Sequence, residues 1–281
     1  MDENRIISSI NELPVLPEVV LHINELLKKS ASSIDEVADL IEKDSALSSK
    51  VLRLANSSYY GLSSQVDSVS RAIIVLGFNN VCNVVTSIGV SAIFKENYKG
   101  IGIDLSGLWI HTLGCAVASK VLMSLKNDSE SEKAFICGIL HDIGKIIIAK
   151  TLPSEQKKVF DALKKSNKTI SELENEIIGT DHAKVGFAIA KKWRFPDYIL
   201  DVIRFHHIPH LSKEASDITV SVHLGNAIAK ALSLGISTDP KVAIIAPDLW
   251  KQIGIDEKKI HSVISAIQNE FDLAMEFWME I

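Results

Sequence analysis

Cysteine is scarce in this chain, and what there is does not pair. Cys82, Cys115 and Cys137 are odd in number and widely spaced, which excludes both a disulfide framework and a Cys-x-x-Cys metal clip. They are expected as buried free thiols in a reducing compartment. Positive charge is in slight deficit: 30 Lys and Arg against 35 Asp and Glu give a net charge of −5. Such a chain has no whole-molecule attraction to nucleic acid or anionic lipid, and no basic run longer than an adjacent pair offsets this. The opening Met1-Asp2-Glu3-Asn4-Arg5 lacks the basic-then-apolar order of a secretory leader. An uninterrupted apolar run is missing too. The stretch Val81–Phe94 is broken by Asn83, Thr86, Ser87 and Ser91, too short and too polar to span a bilayer. It reads as a buried helix, so the expectation is a cytoplasmic protein with no membrane partner. Clean period-two alternation between turns is absent, which argues against a sheet.

What is present is helical period and ample apolar material. Hydrophobic residues make up 47% of 281, enough for a sizeable core. Val19, Ile23, Leu26 and Leu27 line one helix face behind Pro17. Ser33-Ile34-Asp35-Glu36 is a capping-box pattern before Val37, Leu40 and Ile41. Further helices are predicted through Leu47–Leu54, ending near Ser57; over Ser70–Phe78, with Gly77 ending or bending it; and on to about Phe94. Tyr59-Tyr60-Gly61 reads as a packed turn, and Asn79-Asn80 as the cap of the helix that follows. Gly100, Gly102 and Gly107 loosen the chain between two helical lobes. Beyond them come helices at 108–125, 134–150, 154–165, 170–178, 181–193, 196–206 and 216–233, with Asn127–Lys133 a loop. The tail from Lys241 holds at least two amphipathic helices. Its Phe271, Phe277 and Trp278 are expected to dock on the body or on a second copy of the chain, as a homodimer. Trp109, and Trp193 with Phe195 and Pro196, are expected as packing residues. The fold class predicted is all-α and two-lobed: residues 1–100, a second helical lobe over 101–235, and an extension over 236–281.

Nine histidines are distributed unevenly. His141-Asp142 sits inside an apolar helical pattern, where such a pair is costly to bury without a partner. A metal ion is one such partner, since imidazole nitrogen and carboxylate oxygen both ligate first-row divalent ions. Lys145, one turn on, faces the same side and suits phosphate or a carboxylate. His111 lies early in a helix, His182 at a helix start, and His206-His207 closes the apolar segment Tyr198–Phe205. In that order they point to one shared metal or anion pocket.

That order, with Leu140-His141-Asp142-Ile143-Gly144-Lys145 as its most specific piece, resembles the HD superfamily and its HD-GYP branch. The N-terminal half is similar to the HDOD family: Leu13-Pro14-Val15-Leu16-Pro17-Glu18, Ile41-Glu42-Lys43-Asp44-Ser45-Ala46-Leu47, Val51–Ser57 with Tyr60-Gly61, and Arg71-Ala72-Ile73 with Leu76-Gly77. The resemblance covers about residues 12–210. It implies an all-α HDOD fold and a regulatory role in signal transduction, with a signalling protein or a phosphate-containing small molecule as partner. It also implies a ligand set of His111, His141, Asp142, His182, His206 and His207 for one or two ions of iron, manganese, nickel or zinc. HD hydrolases end that set with a later aspartate, and Asn226 stands in its place here. The Gly-Tyr-Pro element is replaced by Ile208-Pro209-His210.

Three readings follow. The chain is a ligand- or protein-binding regulatory module; or a metal-dependent phosphohydrolase, with Asp142 and Lys145 catalytic; or a DNA binder through a helix-turn-helix over Ile34–Asn56. Asp35, Glu36, Asp39, Glu42 and Asp44 argue against the last.

Overall fold

Residues 16–27, 34–95, 102–239 and 241–279 are described by the computed structural model. Leu13-Pro14-Val15, Ser33 of the expected capping box, and Gly100 lie outside them. Among the described residues there is no strand.

The N-terminal helices are α1 (Glu18–Leu26), α2 (Ile34–Glu42), α3 (Ser45–Ala55), α4 (Val69–Leu76) and α5 (Phe78–Lys95). Local chemistry sets their ends. Pro17 stands at the N-cap of α1. Asp44 caps α3 by accepting from the Ala46 and Leu47 amides, both at 3.0 Å, which satisfies two of the first-turn donors. Gly77, with φ +95°, lies between α4 and α5, which meet at 117°. Asn79 and Asn80 sit inside α5 rather than capping it. Asn80 instead donates from Nδ2 to the Leu76 carbonyl at 2.8 Å, closing the end of α4.

The later helices are α6 (Leu105–Asn127), α7 (Ser131–Leu140), α8 (Ile143–Thr151), α9 (Pro153–Leu163), α10 (Ile170–Ile177), α11 (His182–Lys192), α12 (Asp197–Phe205), α13 (Ser216–Ala231), α14 (Pro247–Gln252) and α15 (Glu257–Trp278). Two expectations change. The expected loop 127–133 is a 3₁₀ turn at Asp128–Glu130, after which α7 starts at Ser131. The single helix expected over 134–150 is two, α7 and α8, broken at His141-Asp142. The Gly138 carbonyl near the end of α7 lies 2.7 Å from His141 Nδ1, so a side chain takes up a carbonyl near the break.

α6 is the axis of the molecule, with α7, α13 and α15 packed along it. One continuous apolar core runs from Leu16, Ile41 and Val85 through Leu113 and Ile147 to Phe277 and Trp278. The tail aromatics therefore dock on the body: Trp278 meets Trp109 at 5.8 Å between ring centroids. A smaller cluster, with Leu122, Leu224, Ile253 and Ile267, lies under the C-terminal helices. The run Leu105–Thr151 contains a window hydrophobic enough for a membrane span, but that window is 72% buried inside the fold.

At Tyr59-Tyr60 the turn meets the later helices. The two rings pack edge to face, and Lys120 donates to Tyr59 Oη at 3.1 Å while pairing with Glu132 at 2.7 Å. Trp193 and Phe195 are buried, and Asn24 of α1 donates to the Trp193 carbonyl.

Candidate metal centre

Four helix ends and one helix interior converge on Asp142. The joint between α7 and α8 supplies His141 and Asp142, and Lys145 follows in the first turn of α8. His182 opens α11; His206 closes α12, with His207 next; His111 comes from within α6. Backbone contact sets the approach of α8 to α11. A Cβ placed on Gly144 would lie 2.0 Å from the His182 carbonyl oxygen and 2.7 Å from the Gly186 amide, so only glycine permits it.

His111, His141, His182 and His206 are fully buried, and Asp142 and Lys145 are almost so. Lys145 Nζ lies 2.6 Å from Asp142 Oδ2, and His141 Nε2 lies 3.2 Å from the same oxygen. On the other oxygen, Oδ1, His182 Nε2 closes to 3.4 Å and His206 Nε2 to 3.6 Å. His207 Nε2 meets His182 Nε2 at 2.8 Å. Two overlapping donor sets result, each with ligand atoms within 4.8 Å of one another: Asp142, His182, His206 and His207; and His111, His141 and Asp142. All six residues singled out as ligands are thus brought together, and Lys145 with them.

Three of the rings have a fixed back. His141 Nδ1 faces the Gly138 carbonyl at 2.7 Å and His206 Nδ1 the Ile203 carbonyl at 2.9 Å. A carbonyl only accepts, so each Nδ1 is the protonated nitrogen and Nε2 points inward. His182 Nδ1 faces a carboxylate instead, Glu174 Oε2 at 2.6 Å. Glu174 is fully buried and was not among the expected site residues. Its signal was present: it shares the apolar stripe of Ile170, Leu173 and Ile177 on α10, where a carboxylate is out of place.

The electrostatics divide the cluster. Burial pushes His111 down to about 3 and His206 down to about 4, with the nearby Asp142 carboxylate acting in the opposite direction. His207 falls well below the usual range through burial and the neighbouring His206 and His182. For His141 burial acts in the same direction, but the Asp142 charge, with Cys115, outweighs it and holds the ring at about 10. Burial opposes ionisation of Asp142 as well; His141 and Lys145 prevail and hold it well below the carboxylate range.

The cluster fits a divalent metal ion. Asp142 Oδ1, His141 Nε2, His206 Nε2 and both nitrogens of His111 are buried without a hydrogen-bond partner. A divalent cation among these inward nitrogens would partner them and displace the proton held on His141, and imidazole with carboxylate suits iron, manganese, nickel or zinc. Beside the cluster opens a cavity of about 640 Å³, bordered by Asn175, His207, His223, Asn226 and Lys230. Asn226 Oδ1 is buried and unpartnered.

The family model for the HDOD domain matches residues 13–209. The chain belongs to the HDOD family. Its fold is close to that of an HDOD domain protein of unknown function from Geobacter sulfurreducens, 27% identical, with a TM-score of 0.82 over 98% of this chain and 97% of that one. A Shewanella amazonensis protein named provisionally as a phosphohydrolase shares the fold at 22% identity, with a TM-score of 0.73 and 97% of each chain covered. An uncharacterised Treponema pallidum protein is 24% identical over 225 residues, 79% of this HDOD chain and 43% of that protein. The chain spans less than half the length of the curated relatives it matches.

Proposed function

We infer that this HDOD chain is a regulatory signal-transduction module that holds a divalent metal ion in its buried His-Asp cluster and binds a ligand or partner protein. The observation that carries this reading is the convergence of His141, His182 and His206 Nε2 on Asp142, whose Oδ1 has no hydrogen-bond partner. Burial this complete holds a metal in place but leaves little room around it. Lys145 already occupies Asp142 Oδ2, and residue 226 offers a neutral amide, a weaker ligand than a carboxylate. Both features favour a resident ion over a turning-over one.

Hydrolysis of a phosphate ester is the second reading, favoured by the cavity beside His207 and Asn226. There a bound ion would polarise a phosphoryl oxygen and lower the pKa of water. Lys145 would stand beside the developing charge, with Asp142 holding Lys145 and His141 in register.

The deciding experiment is elemental analysis of the purified chain, with and without added iron, manganese, nickel or zinc, beside a His141→Ala, Asp142→Ala double variant. Stoichiometric metal in the parent and its loss from a folded double variant are expected. A metal-free parent that refuses added ions would overturn the reading. Activity of the loaded parent on a panel of nucleotides and phosphate esters would move the choice to hydrolysis.

A further inference from the structure

Three imidazoles face Asp142, and their supports differ. His141 and His206 lean on backbone carbonyls three residues earlier in their own helices. His182 leans on Glu174, eight residues back and on another helix. Glu174 Oε2 accepts twice, from His182 Nδ1 at 2.6 Å and from the His182 backbone amide at 2.9 Å. That amide is the first of α11, so the same oxygen both caps the helix and orients the ring.

We propose that Glu174 is a positioning residue that makes His182 the dominant donor of the cluster, an inference that rests on the metal reading above. A fully buried carboxylate is expensive unless something compensates it. Among the described residues its ion-pair partner is His182 alone, and Oε1 has no partner at all. A carboxylate placed only to fasten chain segments collects several neutral donors, as Asp201 Oδ2 does with the Ser212 hydroxyl and the Glu214 and Ala215 amides. Glu174 spends its charge on one ring. A carboxylate behind a ligating imidazole fixes its tautomer and strengthens it as a donor, and losing it typically weakens metal binding 10- to 100-fold. A ring fixed this way presents an Nε2 lone pair to both Asp142 Oδ1 and His207 Nε2, so His207 is the donor in the 2.8 Å contact between the two rings.

The test uses the full chain. Titration of zinc and of manganese is followed by calorimetry for the parent, Glu174→Gln, Glu174→Ala and, as control, Glu176→Gln, an exposed glutamate of the same helix. Glu174→Gln is expected to weaken binding about tenfold and Glu174→Ala about 100-fold, with the control at parental affinity. A folded Glu174→Gln with parental affinity would overturn the proposal. The tautomer of His182, read from ¹⁵N shifts of the metal-free parent, stands independently of whether either variant folds. Nδ1 protonation is expected, and Nε2 protonation would be decisive against it. Should the parent bind no metal, the metal reading fails first, and the tautomer still decides whether Glu174 orients His182.

Discussion

Among the described residues between Leu16 and Lys95 the buried polar side chains are Asn24, Asn83, Thr86, Ser87 and Ser91, none of them charged. Between residues 102 and 239 the core takes in Asp142, Lys145, Glu174, Asp181, Asp201 and Asp239, with His111, His141, His182 and His206. In the first region, Asn24 Oδ1 and Thr86 Oγ1 apart, the polar groups bond to backbone carbonyls: Asn24 to that of Trp193, Asn83 to Glu132, Ser87 to Asn83 and Ser91 to Ile88. Such bonds cost little to bury. In the second region charged groups bond to one another and still leave valences open. Even two buried aspartates differ. Asp201 gathers a hydroxyl and two amides on Oδ2, whereas Asp142 Oδ2 faces the charged Lys145 and its Oδ1 is buried with no hydrogen-bond partner. The early helices spend their burial on packing; the later ones hold chemistry that their packing does not require.

The sharpest way to break this contrast is at the two close helix crossings. Gly144→Ala would drive a methyl into the His182 and Gly186 backbones, and the expected cost in urea unfolding is above about 4 kcal/mol, together with loss of metal. Gly89→Ala in α5 meets side chains rather than backbone, those of Val20 and Pro17, so about 1–3 kcal/mol is expected. Equal costs would mean that the later region is no more rigid than the earlier one. Truncation of a purely apolar site comes next. Ile41→Ala, at a fully buried position, should cost about 3 kcal/mol and leave metal content per folded chain unchanged. The bridge between the regions follows. Glu132 helps hold the Lys120 ammonium above its ordinary pKa against burial. Because that folded value is raised, the contribution is complete below the unfolded lysine pKa and disappears as pH rises through the folded one. Glu132→Gln should therefore cost about 2 kcal/mol at neutral pH and progressively less above about pH 10.5.

The smallest effect concerns the thiols. Burial pushes Cys82 up to about 12 and Cys137 well above its usual range, and only thiolate reacts. At pH 8 neither should be labelled in the native chain. In rising urea, one shared transition for Cys82 on α5 and Cys137 on α7 is expected, because a single core joins them. Earlier release of Cys82 would show that the first region opens by itself.

Most of the helices were legible because apolar residues recur three and four apart, and that period survives packing. The break at His141-Asp142 was not. Ala134–Lys150 has an unbroken apolar pattern, and the pattern records which residues are buried, not where a side chain competes for a backbone carbonyl. Asn79-Asn80 misled for a related reason: asparagine caps either end of a helix, and its direction depends on the bend at Gly77. The histidines were legible as a set because imidazoles at helix ends inside apolar segments are unusual. Their partner Glu174 was hidden by its neighbours, since Glu172 and Glu176 on the same helix are ordinary exposed acids. Only its place in the stripe of Ile170 and Leu173 distinguishes it. Lys145 was legible with both its options, and the carboxylate is the one the fold selects.

Gly144 acts as a ruler. Where α8 touches α11, main chain rests on main chain, so the span from Asp142 to His182 does not pass through any interchangeable side chain. Exchanges of isoleucine, valine and leucine elsewhere in the interior can accumulate without altering that span. Drift in the surrounding sequence is thereby uncoupled from the geometry of the donors, and the interior can diverge widely between relatives while the cluster stays the same size.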